Sequence, residues 1–370
     1  MRAVAAIPAT REVAVVEHPE PALATPTSVL VRTLEVGVCG TDAELCAFHF
    51  GYPPASDDYL VLGHEAAGIV ERVGDEVTSL TPGDLVVPSV RRPCPRADCA
   101  ACRSGSQDFC LTGEYTERGI NGAHGFLVDR FVEEERFLYR LPAALRGVAV
   151  LTEPLSIAEK GLRQYLAIQR RLPWLQTAEE AAMLAGRRAV VLGAGAVGML
   201  GAMLLRQRDC EVWVYSREEA ASPRAALIEA IGAHYRSSAD LPVAQLAEEV
   251  GGIELVYEAA GAPGLSLAVL ETMGRSGVFI VTGATGGGGR LDIGADALLN
   301  SMVVGNLVLA GTVNASHADF VSAVNDLEAF VDRWPDVVPR LITGRHPRER
   351  FHDRVLHRTG IKEIIDLAMV

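Results

Sequence analysis

Three side chains near the start of the sequence carry the donor atoms of a catalytic zinc site. Cys39 stands two residues before Thr41, and His64 and Glu65 follow one predicted strand later. A thiolate, an imidazole and a carboxylate leave the fourth position of a tetrahedral zinc ion open for water or a substrate oxygen. An open position separates a zinc ion that does chemistry from one that only links loops, so the spacing predicts a catalytic zinc ion. Glu65 has a second possible role, as a carboxylate that orients a ligand without binding the ion.

Four further cysteines predict a second zinc ion with a structural role. They lie between positions 94 and 110, and four thiolates close a tetrahedral shell with no vacancy. Two disulfides are the alternative, but residues 1–4 begin no apolar signal segment, so a reducing cytoplasm is expected. Cys46 and Cys210 are expected to be ordinary, partly buried thiols. The four predicted ligands are Cys94, Cys99, Cys102 and Cys110.

A glycine-rich turn predicts a dinucleotide site. Residues 189–192 are an apolar run typical of a buried parallel strand, and residues 199–208 form a helical pattern after the turn. Glycines at such a turn let the backbone approach a pyrophosphate, whose charge then faces the helix N-terminus. A tight turn without a ligand is the alternative, which would leave the zinc site without an electron acceptor. The predicted contacts are Gly193, Gly195, Ala196, Val197 and Gly198.

The residues that follow the next predicted strand, at 211–215, indicate which nicotinamide cofactor is used. An acidic side chain here would accept hydrogen bonds from the adenosine ribose, but this chain has Ser216 and Arg217. A hydroxyl and a guanidinium suit a ribose 2′-phosphate, so NADP is expected to be preferred. Glu218 repels a phosphate unless its carboxylate points away, and some use of NAD is therefore also expected.

Composition limits the class of partner. The chain has 370 residues, of which 49% are hydrophobic and 22% charged, as in a soluble globular protein of two domains. Its 34 basic and 47 acidic residues give a net charge of −13, so a nucleic-acid partner is not expected. No apolar run reaches the length of a transmembrane helix, and no membrane partner is expected. A zinc-ribbon binding module is the alternative to an enzyme, and the acidic charge argues against it.

The residue pattern changes from strand-like to helical near residue 146. Residues 28–38, 67–73 and 84–90 are short β-branched stretches between turn residues, which predict a β-rich domain. Beyond residue 146 a helical pattern begins, and strands then alternate with helices as in a doubly wound parallel sheet. The predicted fold class is α/β, with a β-rich catalytic domain and a Rossmann dinucleotide-binding domain.

These motifs together resemble one enzyme family. Gly37-Val38-Cys39-Gly40-Thr41-Asp42, Gly63-His64-Glu65, the cysteine lobe and the glycine turn are similar to the zinc-dependent medium-chain dehydrogenase/reductase superfamily. More narrowly, the chain resembles its glucose 1-dehydrogenases at residues 90–94, 107–110, 112–120, 124–126, 151–155 and 311–314. The resemblance implies a GroES-like catalytic domain of residues 1–155 and 315–370, with a zinc lobe at 94–110. Residues 156–314 would form the Rossmann domain.

The resemblance implies zinc-dependent oxidation of D-glucose, and of other aldoses, at C1 to the gluconolactone, with hydride transfer to NAD(P). Thr41 then passes the substrate proton on, and Glu153 is a catalytic group that ligates the ion directly or through water. Helix capping is the alternative role for Thr41 and for Glu153, which precedes Pro154. The ligands implied for the catalytic ion are Cys39, His64, Glu65 and Glu153.

The resemblance further implies how the sugar is held. Glu114 and Glu153 accept hydrogen bonds from its hydroxyls, and Asn314 lies where nicotinamide and sugar meet. Alternatively, Glu114 is a solvated loop carboxylate and Asn314 ends a strand. A polyol or cyclitol dehydrogenase of the same superfamily is the alternative activity. Homodimers and homotetramers are usual in the superfamily, and an edge strand near residues 303–309 is expected to form the contact.

Overall fold

The first part of the chain consists mainly of strands, and strands alternate with helices later in the chain. The structure is a computed structural model that describes residues 1–283 and 289–369. One unit comprises Met1–Ser156 and Asn314–Val370, and the second comprises Ile157–Val313. The described residues form nineteen strands: β1 (Arg2–Ile7), β2 (Glu12–Glu17), β3 (Ser28–Val38), β4 (Leu60–Val61), β5 (Glu65–Val73), β6 (Leu85–Pro88), β7 (Arg91–Arg92), β8 (Thr116–Arg118), β9 (Gly122–Ala123), β10 (Arg130–Glu134), β11 (Leu138–Leu141), β12 (Arg188–Leu192), β13 (Glu211–Ser216), β14 (His234–Ser237), β15 (Ile253–Glu258), β16 (Met273–Val281), β17 (Val308–Gly311), β18 (Ile342–His346) and β19 (Lys362–Asp366). They also form eleven α-helices: α1 (Gly40–Cys46), α2 (Ala100–Arg103), α3 (Thr152–Gln169), α4 (Glu180–Leu184), α5 (Ala196–Gln207), α6 (Pro223–Ala230), α7 (Val243–Val250), α8 (Pro263–Leu270), α9 (Ala295–Gly305), α10 (His317–Arg333) and α11 (Phe351–Leu356).

The main sheet of the first unit is built around β3. Its strand order is β11-β6-β5-β3-β19-β18, and β10 also pairs with β3. The β-branched residues of β3 are all buried, which explains why a strand of 11 residues forms here. Two smaller sheets, β2-β1-β4 and β7-β8-β9, complete the strands of this unit.

The register of this sheet brings three strand ends together. β3 runs antiparallel to β5, and Gly37 lies opposite Glu65. β19 also runs antiparallel to β3, and Glu363 lies opposite Val38. Residues that follow β3, residues at the start of β5 and residues at the start of β19 are therefore neighbours, although they are far apart in sequence.

The second unit contains a six-stranded sheet in the order β14-β13-β12-β15-β16-β17, in which every pair is parallel. The order reverses between β12 and β15, because β13 lies on one side of β12 and β15 on the other. Val190, Val256 and Phe279 belong to the buried apolar cluster on this sheet. The predicted α/β class, with a β-rich domain and a Rossmann sheet, is confirmed.

The edge of the parallel sheet differs from the expectation. Residues 303–305 end helix α9, and the edge strand is Val308–Gly311. Asn306 adopts a left-handed conformation, with φ of 51°, and ends the helix there. Of the helices in the described ranges, none has the length and apolar character needed to cross a membrane.

Candidate active site

The three side chains predicted as zinc ligands converge at the end of β3 and the start of β5. The Sγ atom of Cys39 lies 3.1 Å from Nε2 of His64. Single ligand atoms of Cys39, His64 and Glu65 all lie within 4.8 Å of one another. A sulfur, a nitrogen and a carboxylate oxygen at these separations can bind one zinc ion and leave a position open. The donor set therefore fits a catalytic zinc ion.

A buried carboxylate supports these ligands from the first turn of α1. Asp42 is fully buried, and its Oδ2 accepts a hydrogen bond of 2.8 Å from the backbone N–H of Cys39. Its Oδ1 lies 3.6 Å from Nδ1 of His64 and faces the imidazole edge opposite the ligand atom. A carboxylate in that position orients a ligating imidazole and makes it more basic. The role of Asp42 was not predicted from the sequence, although an acidic residue three positions after a helix-capping residue indicates a capping carboxylate.

The electrostatics of this cluster favour a positive charge at its centre. Burial alone would lower the pKa of His64, but Cys39 and Asp42 outweigh it and raise that pKa well above its ordinary value. The same surroundings that stabilise an imidazolium also stabilise a bound cation. Zinc therefore suits both the donor atoms and the charge of the site.

Glu65 is held in a buried ion pair. Its Oε2 accepts a hydrogen bond from Nζ of Lys362 on β19, and the same Nζ donates to the carbonyl oxygen of Val38 at 3.4 Å. Both charged side chains are almost completely buried. Gly37 leaves room for the carboxylate, since a Cβ at this position would collide with Oε2 of Glu65. Lys362 was missed by our sequence reasoning because only the sheet register places it here.

Glu153 lies in the first turn of α3 and is 7% exposed. Burial, together with the negative charge of Glu65, raises its pKa to about 8. The structure thus brings Glu153 into the electrostatic environment of Glu65. Its carboxylate is not one of the atoms in the 4.8 Å cluster of described residues.

Thr41 and Glu114 occupy very different surroundings. Thr41 is the second residue of α1, two positions beyond Cys39, and is partly exposed. Glu114 is exposed on the loop before β8, where its Oε1 lies 3.8 Å from Nη1 of Arg96. Its backbone N–H donates to Oγ1 of Thr112 at 3.2 Å. Thr41 therefore accompanies a metal ligand, whereas Glu114 belongs to the neighbourhood of the cysteine lobe.

Asn314 takes part in a polar network that our sequence analysis did not anticipate. It adopts a left-handed conformation, with φ of 60°, and its Nδ2 donates to Oε1 of Glu117 at 2.9 Å. The same oxygen accepts a hydrogen bond of 2.9 Å from Nη2 of Arg91. The amide of Asn314 is consequently held in one orientation. Glu117 and Arg91 both lie in motifs that carried the family resemblance, but their pairing depends on the antiparallel register of β7 and β8.

The four-cysteine lobe forms a second cluster with the composition of a structural zinc site. One Sγ from each cysteine lies within 4.8 Å of the others, and all seven cysteines of the chain are free thiols. Burial acts to raise the pKa of Cys110, but hydrogen bonds from Thr112 and from backbone amides outweigh it and lower that pKa to about 6. Thiolates are the form that binds zinc. The clustered residues are Cys94, Cys99, Cys102 and Cys110.

The glycine turn joins β12 to α5, and a different physical reason favours glycine at each of its three positions. Gly193 has φ of 102°, which a residue with a side chain rarely adopts. Gly195 precedes the helix, and a Cβ built there meets nothing within 4 Å, so its face is open. A Cβ at Gly198 would collide with the carbonyl oxygen of Gly193. Open backbone at the start of α5, whose first turn holds Ala196 and Val197, fits a pyrophosphate.

The residues after β13 form a small polar cluster. Oγ of Ser216 donates to Oε2 of Glu218, and Nη1 of Arg224 donates to Oε1 of the same carboxylate at 2.6 Å. Burial acts to raise the pKa of Glu218, but these bonds and nearby arginines outweigh it and lower that pKa. Arg217 is exposed beside them. The carboxylate of Glu218 is therefore turned toward Ser216 and Arg224, and the contribution of Arg224 on α6 was missed by our sequence analysis.

Comparison with known proteins agrees with this geometry. Residues 25–143 match the family model of the alcohol dehydrogenase GroES-like domain, and residues 146–367 match that of the glucose dehydrogenase C-terminus. Glucose 1-dehydrogenase of Methanocella arvoryzae is 37% identical over 89% of this chain and 88% of its own length. Glucose 1-dehydrogenase of Thermoproteus tenax is 37% identical over 95% of each chain.

A solved structure covers the whole molecule. Haloferax mediterranei glucose dehydrogenase, in complex with NADP, Zn and gluconolactone, superimposes with a TM-score of 0.86 over 100% of both chains at 30% identity. The alcohol dehydrogenase of Thermus sp. ATN1, at 24% identity and a TM-score of 0.76, shares the fold. The family predicted from the motifs is confirmed. The chain belongs to the glucose dehydrogenase family of zinc-dependent medium-chain dehydrogenases.

Proposed function

We propose that the chain is a zinc-dependent glucose 1-dehydrogenase, which transfers hydride from C1 of D-glucose, and of other aldoses, to NAD(P). The observation that carries this proposal is the convergence of Cys39, His64 and Glu65, in a chain similar to a glucose dehydrogenase solved with NADP, Zn and gluconolactone. A mixed sulfur, nitrogen and oxygen donor set with a vacant position is typical of a catalytic zinc ion. The product is the gluconolactone, which water then opens.

The residues of the first unit bind the sugar and receive its proton. Cys39, His64 and Glu65 hold the zinc ion, with Glu153 as a further ligand directly or through water. When bound, zinc supplies Lewis acidity, which makes the hydroxyl proton of the sugar easier to remove. Thr41 takes this proton at Oγ1 and passes it toward the cofactor ribose and solvent. The second, structural zinc ion belongs to the four-cysteine lobe.

The oxidation is balanced by one hydride and one proton. The C1–H bond breaks and its electron pair leaves with the hydrogen for the nicotinamide ring, while the C1 hydroxyl loses its proton to Thr41. The C1–O single bond becomes the carbonyl of the lactone. Glu114 and Glu153 accept hydrogen bonds from the remaining hydroxyls, and Asn314 offers its amide to the sugar and the nicotinamide. Such positioning, together with the electrostatics of the site, is what the protein contributes to hydride transfer.

The second unit holds the dinucleotide. The backbone of Gly193 to Gly198, at the start of α5, would hold the pyrophosphate. Ser216 and Arg217 bind the 2′-phosphate of NADP, which makes NADP the preferred cofactor. Some use of NAD is also proposed, because the negative charge of Glu218 lies beside this site and disfavours a phosphate.

We further propose that the protein is a homodimer or homotetramer that works in the cytoplasm. Strand β17 forms the edge of the parallel sheet, and apolar side chains are exposed on and beside it: Leu299, Val303, Val304, Leu309 and Val313. An unpaired edge with exposed apolar neighbours favours association. Light scattering tests this, since Val303→Glu should give a monomer and Leu356→Glu, at an exposed residue of the first unit, should not.

The proposed activity is tested by nicotinamide reduction with the zinc-loaded protein. Glucose, galactose, xylose, sorbitol, inositol and ethanol are each offered with NADP and with NAD. Turnover of aldoses that is lost in Cys39→Ser supports the proposal. Cys46→Ser is the matched control, because this buried thiol of α1 lies outside the ligand cluster, and it should keep activity. Turnover of sorbitol or inositol alone would assign the chain to the polyol dehydrogenases and refute the proposal.

A further inference from the structure

A buried glutamate lies at the end of β15, the strand that pairs with β12 on the side opposite β13. Glu258 is the last residue of β15 and is 1% exposed. Its Oε1 accepts hydrogen bonds from the backbone N–H groups of Ala260, at 2.9 Å, and Gly261, at 2.6 Å. Its Oε2 accepts one from the N–H of Gly283 at 3.1 Å. The carboxylate therefore binds backbone amides from two different connections, one after β15 and one after β16.

The backbone of Glu258 strengthens the same link. Its carbonyl oxygen accepts hydrogen bonds from the backbone N–H of Thr282, at 3.0 Å, and from Oγ1 of Thr282, at 2.7 Å. Among the described residues no cation forms an ion pair with Glu258, so backbone amides alone compensate for its burial. A buried carboxylate is costly unless hydrogen bonds replace its water. We call Glu258 with its three amide partners the Glu258 clamp.

The clamp packs tightly against its surroundings. A Cβ at Gly283 would lie 2.6 Å from Oε2 of Glu258 and would also collide with the backbone nitrogen of Gly261. A Cβ at Gly193 would lie 3.2 Å from Ala260, so the connection after β15 touches the first glycine of the dinucleotide turn. The connection that the clamp fixes therefore lies directly beside the dinucleotide turn.

The strand order indicates which half of a dinucleotide the clamp faces. Ligands of open parallel sheets bind beyond the carboxyl ends of the strands where the order reverses, which in this sheet lies between β12 and β15. Ser216, at the end of β13, lies on one side of β12 and suits the adenosine ribose. The Glu258 clamp lies on the other side, at the ends of β15 and β16. The nicotinamide half of a dinucleotide held at this turn, with its adenosine ribose near Ser216, would extend in that direction.

We propose, on the basis of the function proposed above, that Glu258 is a positioning residue for the nicotinamide half of the cofactor. Its carboxylate fixes the connections after β15 and β16 before the cofactor binds. The nicotinamide then meets a wall that is already in place, and binding does not have to order it. Glu258 touches neither substrate nor cofactor and acts through Ala260, Gly261 and Gly283.

The test compares the whole cofactor with a fragment that lacks the nicotinamide half. Glu258→Gln keeps the side-chain volume but turns an N–H donor toward the N–H of Gly283, which opens one link of the clamp. Isothermal titration calorimetry with NADP and with 2′,5′-ADP measures each half separately. We expect the Kd of NADP to rise about tenfold, the equivalent of one lost hydrogen bond, and that of 2′,5′-ADP to stay within about twofold.

Glu254→Gln is the matched control. Glu254 lies on the same strand, near its opposite end, and its Oε1 accepts a hydrogen bond of 2.5 Å from Nη1 of Arg187. This variant should leave the affinity for both ligands unchanged. If Glu258→Gln does not fold, Glu258→Asp shortens the side chain without removing its charge, weakens the same links and should give the same split between NADP and 2′,5′-ADP.

Two results would overturn the role of Glu258. Equal weakening of NADP and 2′,5′-ADP would show a general distortion of the sheet, and unchanged NADP affinity would show that the clamp does not act on the cofactor. A wild-type protein that binds neither NADP nor NAD would instead refute the proposed function, and with it the role of the clamp.

Discussion

Alanine substitutions at Gly195 and Gly198, near the start of α5, should affect different properties. Gly195→Ala should weaken cofactor binding with little change in stability, whereas Gly198→Ala should lower stability. Gly195 has φ of −78° and ψ of −177°, a conformation that alanine adopts readily, and its Cβ would meet nothing within 4 Å. Replacing glycine by alanine at a compatible position stabilises a protein by about 0.4–1 kcal/mol, because it lowers the conformational entropy of the unfolded chain. The preference for glycine over alanine before a helix offsets part of this gain. The free energy of unfolding of Gly195→Ala should therefore stay within about 1 kcal/mol of wild type.

Cofactor binding by Gly195→Ala should nevertheless be severely weakened. The added methyl group stands on the open face that the pyrophosphate must approach, and it holds the phosphate off the N–H groups at the start of α5. The loss of two charge-assisted hydrogen bonds, at about 1.5 kcal/mol each, predicts a rise in the Kd of NADP of about 100-fold. Calorimetry measures this affinity directly.

Gly198→Ala provides the contrast. Its Cβ would collide with the carbonyl oxygen of Gly193 and lie 3.0 Å from the carbonyl carbon, and neither atom belongs to a flexible side chain. Overpacking of this kind costs about 1–3 kcal/mol, which urea denaturation detects. A loss of stability in Gly195→Ala as large as that in Gly198→Ala would contradict this prediction, and so would NADP binding by Gly195→Ala as tight as in the wild type.

Three further predictions concern charge and metal. Lys362→Met leaves the buried carboxylate of Glu65 without a partner and should lower the free energy of unfolding by about 3–5 kcal/mol. Urea denaturation in the presence of a zinc chelator measures this change. An unchanged denaturation midpoint would contradict the buried ion pair. Glu218→Gln removes a negative charge beside the proposed phosphate site. It should raise the NADP-to-NAD ratio of kcat/KM about fivefold, the effect of one charge at about 4 Å in water. An unchanged or lower ratio would show that Glu218 does not oppose the phosphate. Cys94→Ser should reduce the zinc content of the purified protein from two ions per chain to one. The control variant Cys210→Ser, at a buried thiol outside both clusters, should keep two ions. Metal analysis that finds two ions in Cys94→Ser would contradict the four-thiolate site.

Local patterns predicted the dinucleotide turn well. The apolar run of β12 and the glycines that follow it are contiguous, so their chemistry can be read from a few residues. The start of α5 was placed three residues too late, at residue 199 instead of Ala196. Glycine disfavours helix interiors, and Gly198 suggested that the helix had not yet begun. Close approach to Gly193 explains why a glycine stands within this first turn.

Contacts between distant segments could not be read from the sequence. Lys362 follows Glu65 by 297 positions, and only the pairing of β19 with β3 brings them together. Arg224 reaches Glu218 because α6 begins at Pro223, directly after the loop that follows β13. Spacing cannot indicate either contact, since both depend on register and on the direction of a side chain. The roles of Glu114 and Asn314 toward the sugar remain predictions for the same reason.

The ion pair between Glu65 and Lys362 has a consequence for the order of events during synthesis. A ribosome that adds about 5–20 residues per second needs roughly 15–60 seconds to pass from one partner to the other. During that interval Glu65 has no lysine, and the ends of β3 and β5 lack the strand that covers them. Cys39, His64 and Glu65 are therefore synthesised long before the lysine that compensates the charge of Glu65. The ion pair that holds Glu65 in place can form only after β19 has been synthesised.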